Sequence, residues 1–440
     1  MRTIYLDNNA TTAVAPEVRE AMEAYFAGEY FNPSSAYDRA SPAAQAIKRG
    51  RETLARFLGG VDPSEILFTS CATESLNTAL YGAVRANPGR RHVVTTAVEH
   101  PAVYEVCKDL ARSGLEVTFL PVDRAGNLDL RTFIQALRPD TLIAAVMHAN
   151  NETGVIFPVD QLARVTKETD PAILFLTDAT QTAGKLPLDL RGTLSHVDLL
   201  AFSGHKLHAP KGIGALFVRR GTPIRPFMIG GHQEGGRRAG TENVPYIAAL
   251  TRAVELAQTD HEAVETRVRQ LRDRLEAGLL AGIPCVEVNG QGAPRIPNTC
   301  NLAVHFIEGE GILYQLNEHG ICASSGSACT SGSLEPSHVL RAMQVPFTAV
   351  HGSIRLSLGR YNTDEDVDRM LEVFPRIVAN LRRLSPYWDP AHERPRPEAE
   401  AKMQGVGHPQ TLSKGNPCAP TRGSDQPTGA SSNDGAPVGF

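Results

Sequence analysis

The sequence predicts an α/β protein: a large domain with a doubly wound, mainly parallel sheet, a smaller α+β domain, and a disordered C-terminal tail. Three observations lead there. Apolar strand-like runs alternate with amphipathic helical stretches through the first half of the 440 residues. Polar residues that can do chemistry collect just past the ends of those runs. Near residue 389 the composition then shifts to Pro, Gly, Ser and charge, with little left to bury.

Taken in order, "SPAAQAIKRGRETLARFLG" reads as a helix, "EILFTS" as a strand, "TESLNTALYGAV" as a helix and "RHVVTTAVEH" as a strand. A helix at "AVYEVCKDLARSG", a strand at "EVTFLPV" and a helix at "LRTFIQALR" follow. The strands "TLIAAVMHAN", "AILFLTDA", "VDLLAFSG" and "IGALFVRR" come next. Near-continuous apolar strands of this kind belong to sheets covered on both faces. One long helical pattern over about 246–283 bridges to "CNLAVHF", "EGILYQLNEHG", "SIRLSLG" and "TDEDVDRMLEVFPRIVANLRRL" of the second domain. The expected division is 16–260 for the large domain, 1–15 with 261–388 for the small one, and 389–440 for the tail.

Composition narrows the function. A hydrophobic content of 42% with 21% charged residues is that of a soluble globular chain able to bury a large core. With 44 basic against 48 acidic residues, the net charge of −4 gives no footprint for nucleic acid or an anionic membrane. No apolar h-region opens the chain and no run of 18 apolar residues occurs, so a cytoplasmic location is expected. The seven cysteines are sparse and without C-x-x-C pairs or zinc spacing, which fits free thiols in a reducing compartment. Cys418, alone in the tail, reads as incidental.

Ligands of open α/β sheets bind outside the carboxyl ends of the strands. There the sequence places Ala72-Thr73-Glu74, Glu99-His100, Asn150-Asn151-Glu152, Asp178-Ala179-Thr180-Gln181 and Ser203-Gly204-His205-Lys206. Any one of these could merely cap a helix or turn the chain. Five in succession suit pyridoxal phosphate. Lys206 would hold the aldehyde as a Schiff base, and Asp178, 28 residues earlier, would keep the pyridine nitrogen protonated. Thr73, Ser203 and His205 offer donors to a phosphate, and His100 could lie on the ring face.

At these residues the chain resembles the class V aminotransferase-like group of fold-type I pyridoxal-phosphate enzymes, and within it the nitrogenase-associated, NifS-type cysteine desulfurases. The resemblance runs over about residues 2–385 through "YLDNNATT", "FNPSS", "TSCATES", "EHPAV", "HANNETG", "DATQTAGK", "SGHKLHAPKGIGALF", "GGRRAGTENV", "SSGSACTSGS" and "RLSLGRYNT". It implies that Lys206 is the Schiff-base lysine, Asp178 the pyridinium partner and His100 the stacking residue. Gln181 and Asn151 would address the cofactor hydroxyl and the substrate side, while Ala72, Thr73, Ser203 and His205 hold the phosphate. Thr241 would reach the phosphate of a second subunit, implying a homodimer, and Arg355 would clamp the substrate carboxylate. Tyr37 stands where the family often has His, and His232 with Gly235 belongs to a variable loop.

The resemblance gives a role to Cys329, the thiol inside "SSGSACTSGS". It would attack the sulfur of L-cysteine, leave L-alanine, and carry a persulfide to an iron–sulfur scaffold protein, for nitrogenase maturation. Through that persulfide it is also the candidate for transient iron–sulfur ligation shared with the scaffold. The small side chains around it suggest an exposed, mobile loop. Two alternatives stay open at this point: another class V activity such as an aminotransferase or selenocysteine lyase, and a non-catalytic sulfur carrier.

Overall fold

The computed structural model describes residues 2–325, 336–399 and 418. Cys329 and its loop therefore lie outside the described residues. A seven-stranded sheet runs in the order Ile66–Thr69, Gly214–Val218, Leu199–Ser203, Leu174–Asp178, Thr141–Ala145, His92–Thr96, Glu116–Leu120. All neighbours pair in parallel except Gly214–Val218, which is antiparallel to both strands beside it. Helices follow the strands, as the alternating pattern requires: Ala72–Ala86, Pro101–Arg112, Leu130–Ala136 and Val159–Thr169.

Alternate residues of a strand face opposite sides, and the sheet shows this directly. Leu200 and Phe202 enter one core with Phe175 and Phe217, whereas Leu199 and Ala201 enter the other with Leu174 and Leu216. Every residue of the Leu174–Asp178 and Leu199–Ser203 strands is buried, so helices must cover both faces. Only the strand ends are open to a ligand.

A further core gathers Leu271 and Leu275, Leu302, Ile354, Phe374 and Ile377, together with Ile4 and Leu6 from the chain start. Its sheet has Thr299–Val304 between Ser353–Ser357 and Val286–Val288, all antiparallel. Ile4–Tyr5 pairs in parallel with Ile321–Cys322. That pairing fixes the direction in which residues 7–12 leave this core and reach the ends of the large sheet.

Two expectations need correction. The long helical stretch is two helices, Val244–Gln258 and His261–Gly282, separated at Asp260, whose φ of 57° lies in the left-handed region. Asp is one of the few residues with a side chain that visits this region readily, and a helix cannot continue through it. The ordered chain also passes the boundary expected at 389: Trp388–Asp389 pairs antiparallel with Arg394–Pro395. The single tryptophan is buried beside Phe306 and Ala399, with the Arg382 guanidinium 4.4 Å over its ring. Within the same cluster Cys418 is bonded to Cys285, so it is not an isolated thiol. Cys71, Cys107, Cys300 and Cys322 are free. Among the described residues no helix is long and apolar enough to cross a membrane.

Candidate active site

A cavity of about 290 Å³ opens at the carboxyl ends of the strands. Its wall begins where Ile66–Thr69 turns into Ala72–Ala86. Cys71 is extended and ends the turn, so the first amides of the helix face the cavity beside Thr73. The Ala72 amide donates to Ser203 Oγ at 3.3 Å, joining this turn to the end of Leu199–Ser203. Gly214 permits the contact: a Cβ there would stand 2.8 Å from both the Cys71 carbonyl carbon and the Phe202 oxygen.

Past Ser203 a tight turn, Gly204–Lys206, presents the lysine. Lys206 Nζ donates to the backbone oxygens of Asn9 at 2.5 Å and Ala10 at 2.8 Å. Behind it, Lys185 donates to the Gln181 carbonyl at 3.1 Å; burial first, and then Lys206, push its pKa down to about 7. His205 pairs with Thr11 Oγ1 at 3.1 Å, and burial followed by Lys206 lowers its pKa to about 4. It is therefore a neutral imidazole at physiological pH.

Asp178 ends its strand with Oδ1 accepting from the Thr180 amide at 2.9 Å. His100 caps the Pro101–Arg112 helix, its Nδ1 accepting from the Ala102 amide at 3.1 Å. That bond assigns the ring proton to Nε2. Burial holds the His100 pKa below its ordinary value, against the opposing pull of Asp178.

Opposite, Arg355 projects from Ser353–Ser357 of the second core. It donates to the Asn151 carbonyl at 2.9 Å and, through its other Nη, to Asp7 at 2.8 Å. Gln181 Nε2 donates to the Asn9 carbonyl at 3.0 Å. Three buried oxygens of the lining, Asn151 Oδ1, Gln181 Oε1 and Thr180 Oγ1, have no hydrogen-bond partner among the described residues. Buried polar atoms are rarely left so, and these are placed to meet a polar ligand.

The cavity thus brings together Ala72, Thr73, His100, Asn151, Asp178, Gln181, Ser203, His205, Lys206 and Arg355. Thr241 is exposed and does not line it. Thr180 belongs to a strand end that the sequence marks, whereas Asn9, Ala10 and Met147 are not marked as site residues there, although "YLDNNATT" carries the first two. Asn9 and Ala10 act through backbone oxygens and Met147 through packing, which residue type does not signal. An amine and a carboxylate on one cavity, two imidazoles, helix amides and unpaired amide oxygens form a donor set that fits pyridoxal phosphate. Lys206 would anchor it, Asp178 would face its ring nitrogen, and Ala72, Thr73, Ser203 and His205 would hold its phosphate.

Residues 4–370 match aminotransferase class-V, and the chain belongs to that family. It is 54% identical over 387 residues to a cysteine desulfurase of Trichormus azollae, covering 88% of this chain and 96% of that one. It is 52% identical over 388 residues to the cysteine desulfurase NifS of Azotobacter vinelandii, covering 88% and 96%. Among solved structures, a NifS-like protein superposes with a TM-score of 0.80 at 38% identity, covering 86% of this chain and all of that one. A NifS-like protein from Rickettsia africae gives 0.76 at 30% identity, covering 86% and 99%. The architecture is accordingly that of fold-type I pyridoxal-phosphate enzymes.

Proposed function

We infer that this chain is a pyridoxal-phosphate-dependent cysteine desulfurase, converting L-cysteine to L-alanine and transferable sulfur. The observation that carries the reading is the convergence of Lys206, Asp178, His100 and Arg355 on one cavity with unpartnered amide oxygens. Identity above 50% to cysteine desulfurases over most of the chain supports it. When bound, the cofactor supplies an electron sink for the carbanion character that develops at the substrate Cα. Arg355 binds the substrate carboxylate, and Lys206, held between two carbonyls, takes the Cα proton. The Cys329 thiolate then attacks the substrate sulfur: an S–S bond forms and the Cβ–S bond breaks. Its electron pair stays on carbon, which takes up a proton to become the methyl of alanine.

The test is alanine and sulfide release from L-cysteine. Cys329→Ala is expected to keep the bound cofactor and its visible absorbance but to stop turnover; wild-type rates would sink the assignment. Lys206→Ala should lose the absorbance of the lysine-bound cofactor. We further propose that the persulfide passes to an iron–sulfur scaffold, with nitrogenase as the end user. The protein would be a cytoplasmic homodimer whose Thr241 serves the partner's site, with 16–260 as the cofactor domain and 1–15 with 261–388 as the smaller one. Persulfide transfer to candidate scaffolds, read by mass, tests the first of these.

A further inference from the structure

Residues 326–335 hold Cys329, and the chain on both sides of them is tied to the wall of the cavity. On the N-terminal side Ser324 and Arg355 form a bridge: the Arg355 amide donates to the Ser324 carbonyl at 2.6 Å, and the Ser324 amide returns the bond at 3.2 Å. On the C-terminal side the ties go to the chain neighbours of lining residues: Ser337 Oγ donates to Glu152 Oε2 at 2.6 Å and accepts from the amides of Val339 and Leu340. The next residue, His338, donates through Nε2 to the Glu99 carbonyl at 2.9 Å, directly before His100.

These ties close into an arc. Arg355 donates to the Asn151 carbonyl, and Asn151 is covalently followed by Glu152. From Ser324 through Arg355, Asn151 and Glu152 to Ser337, every step is therefore a covalent or hydrogen bond. Glu152 is 4% exposed and does not line the cavity, so the chemistry does not itself require a carboxyl there. A buried carboxyl is unfavourable without a partner that answers it, and the short bond from Ser337 supplies one.

We propose that Glu152 and Ser337 are positioning residues for Cys329, setting where its segment departs relative to the substrate-binding groups Asn151 and Arg355. The inference rests on the reading of Cys329 as the sulfur acceptor. Its consequence is specific: loss of the Ser337–Glu152 bond misplaces the thiol while the cofactor and the carboxylate clamp stay intact. Small misplacements of a reacting group lower rates by about tenfold to a hundredfold.

The test uses the holoenzyme with L-cysteine. Ser337→Ala and Glu152→Ala should each lower kcat about tenfold or more, with KM and cofactor content within roughly twofold of wild type. Glu152→Gln, whose amide oxygen still accepts from Ser337, should stay within about threefold, and the double alanine variant should fall no further than the weaker single variant. Wild-type kcat in Ser337→Ala overturns the proposal, as does lost stability or cofactor with unchanged turnover per bound cofactor, which marks a helix cap alone. Should Ser337→Ala not fold, equal loss in Glu152→Gln and Glu152→Ala overturns it. Cys329→Ala, run in parallel, separates the two readings. Its full activity refutes the role of Cys329, whereas a silent Cys329→Ala beside a fully active Ser337→Ala refutes only the positioning role.

Discussion

Glu99 lies directly before His100, fully buried, and the whole consequence of its burial can be measured by replacing it with glutamine. Its Oε1 accepts from Thr96 Oγ1 at 2.8 Å and from the Met147 amide at 3.0 Å, while Oε2 has no partner. Burial, with Asp178 adding to it, raises the pKa from 4.5 to about 8. The carboxyl is thus protonated at neutral pH, with the proton on the oxygen that accepts nothing. Because the folded state holds this proton more tightly than the unfolded chain, this group's contribution to stability is fully present below pH 4.5 and is lost as pH rises through about 8. At about 1.4 kcal/mol per pH unit, the full span amounts to roughly 5 kcal/mol, of which roughly 2 is lost between pH 6 and 8. Glu99→Gln has the shape of the neutral acid, keeps an oxygen for Thr96 and Met147, and cannot ionise. Thermal melts of the holoenzyme should therefore show the variant close to wild type near pH 4.5, more stable by about 2 °C at pH 6, and more stable by about 5 °C at pH 8.5. Taking the difference between the two proteins at each pH cancels every other titrating group. A gap that is the same at all of these pH values would refute the reasoning.

Further outcomes follow from other parts of the site and fold. Arg355→Ala should raise KM for L-cysteine by about a hundredfold, since a buried charge-assisted contact to a carboxylate is worth roughly 2–4 kcal/mol; an unchanged KM would remove Arg355 from the carboxylate site. Gly214→Ala places a methyl 2.8 Å from the Cys71 backbone, so it should cost about 1–3 kcal/mol and weaken cofactor retention, read by dialysis and absorbance. Under reducing conditions, truncation after residue 399 should leave the melting temperature near wild type. Truncation after residue 387 removes buried Trp388 and should cost about 3–5 kcal/mol; equal melts would place 388–399 outside the folded unit.

The large sheet was legible because its strands are apolar throughout and separated by turns at which the periodicity changes. The strand-end residues were legible for a related reason. His100, Asp178 and Lys206 follow apolar runs directly, so their placement at one edge is a property of parallel topology rather than of any pairwise signal. The helix break at Asp260 was hidden by a 3.6-residue pattern that resumes in phase, and a single left-handed residue leaves no trace in such a pattern. The hairpin after Trp388 was hidden by composition. Its segment "DPAHERPRP" has the residues of a disordered chain, and its order comes from one indole ring, an arginine and a short pairing.

What sequence could not convey is how the second core completes the site. Asn9, Lys206 and Arg355 stand far apart in the chain, yet the Asn9 carbonyl receives Lys206 while Asn9 Nδ2 donates to Thr299 of the second core at 2.8 Å. Asp7, two residues earlier, receives Arg355. The parallel pairing of Ile4–Tyr5 with Ile321–Cys322 is what delivers residues 7–10 to this junction. One short segment therefore holds the lysine of one core and the arginine of the other. A change in the packing of Ile4 and Leu6 would reach both groups through the backbone before it disturbed the large sheet. If Lys206 and Arg355 have the proposed roles, proton movement and carboxylate binding are coupled through a segment whose own side chains carry out neither.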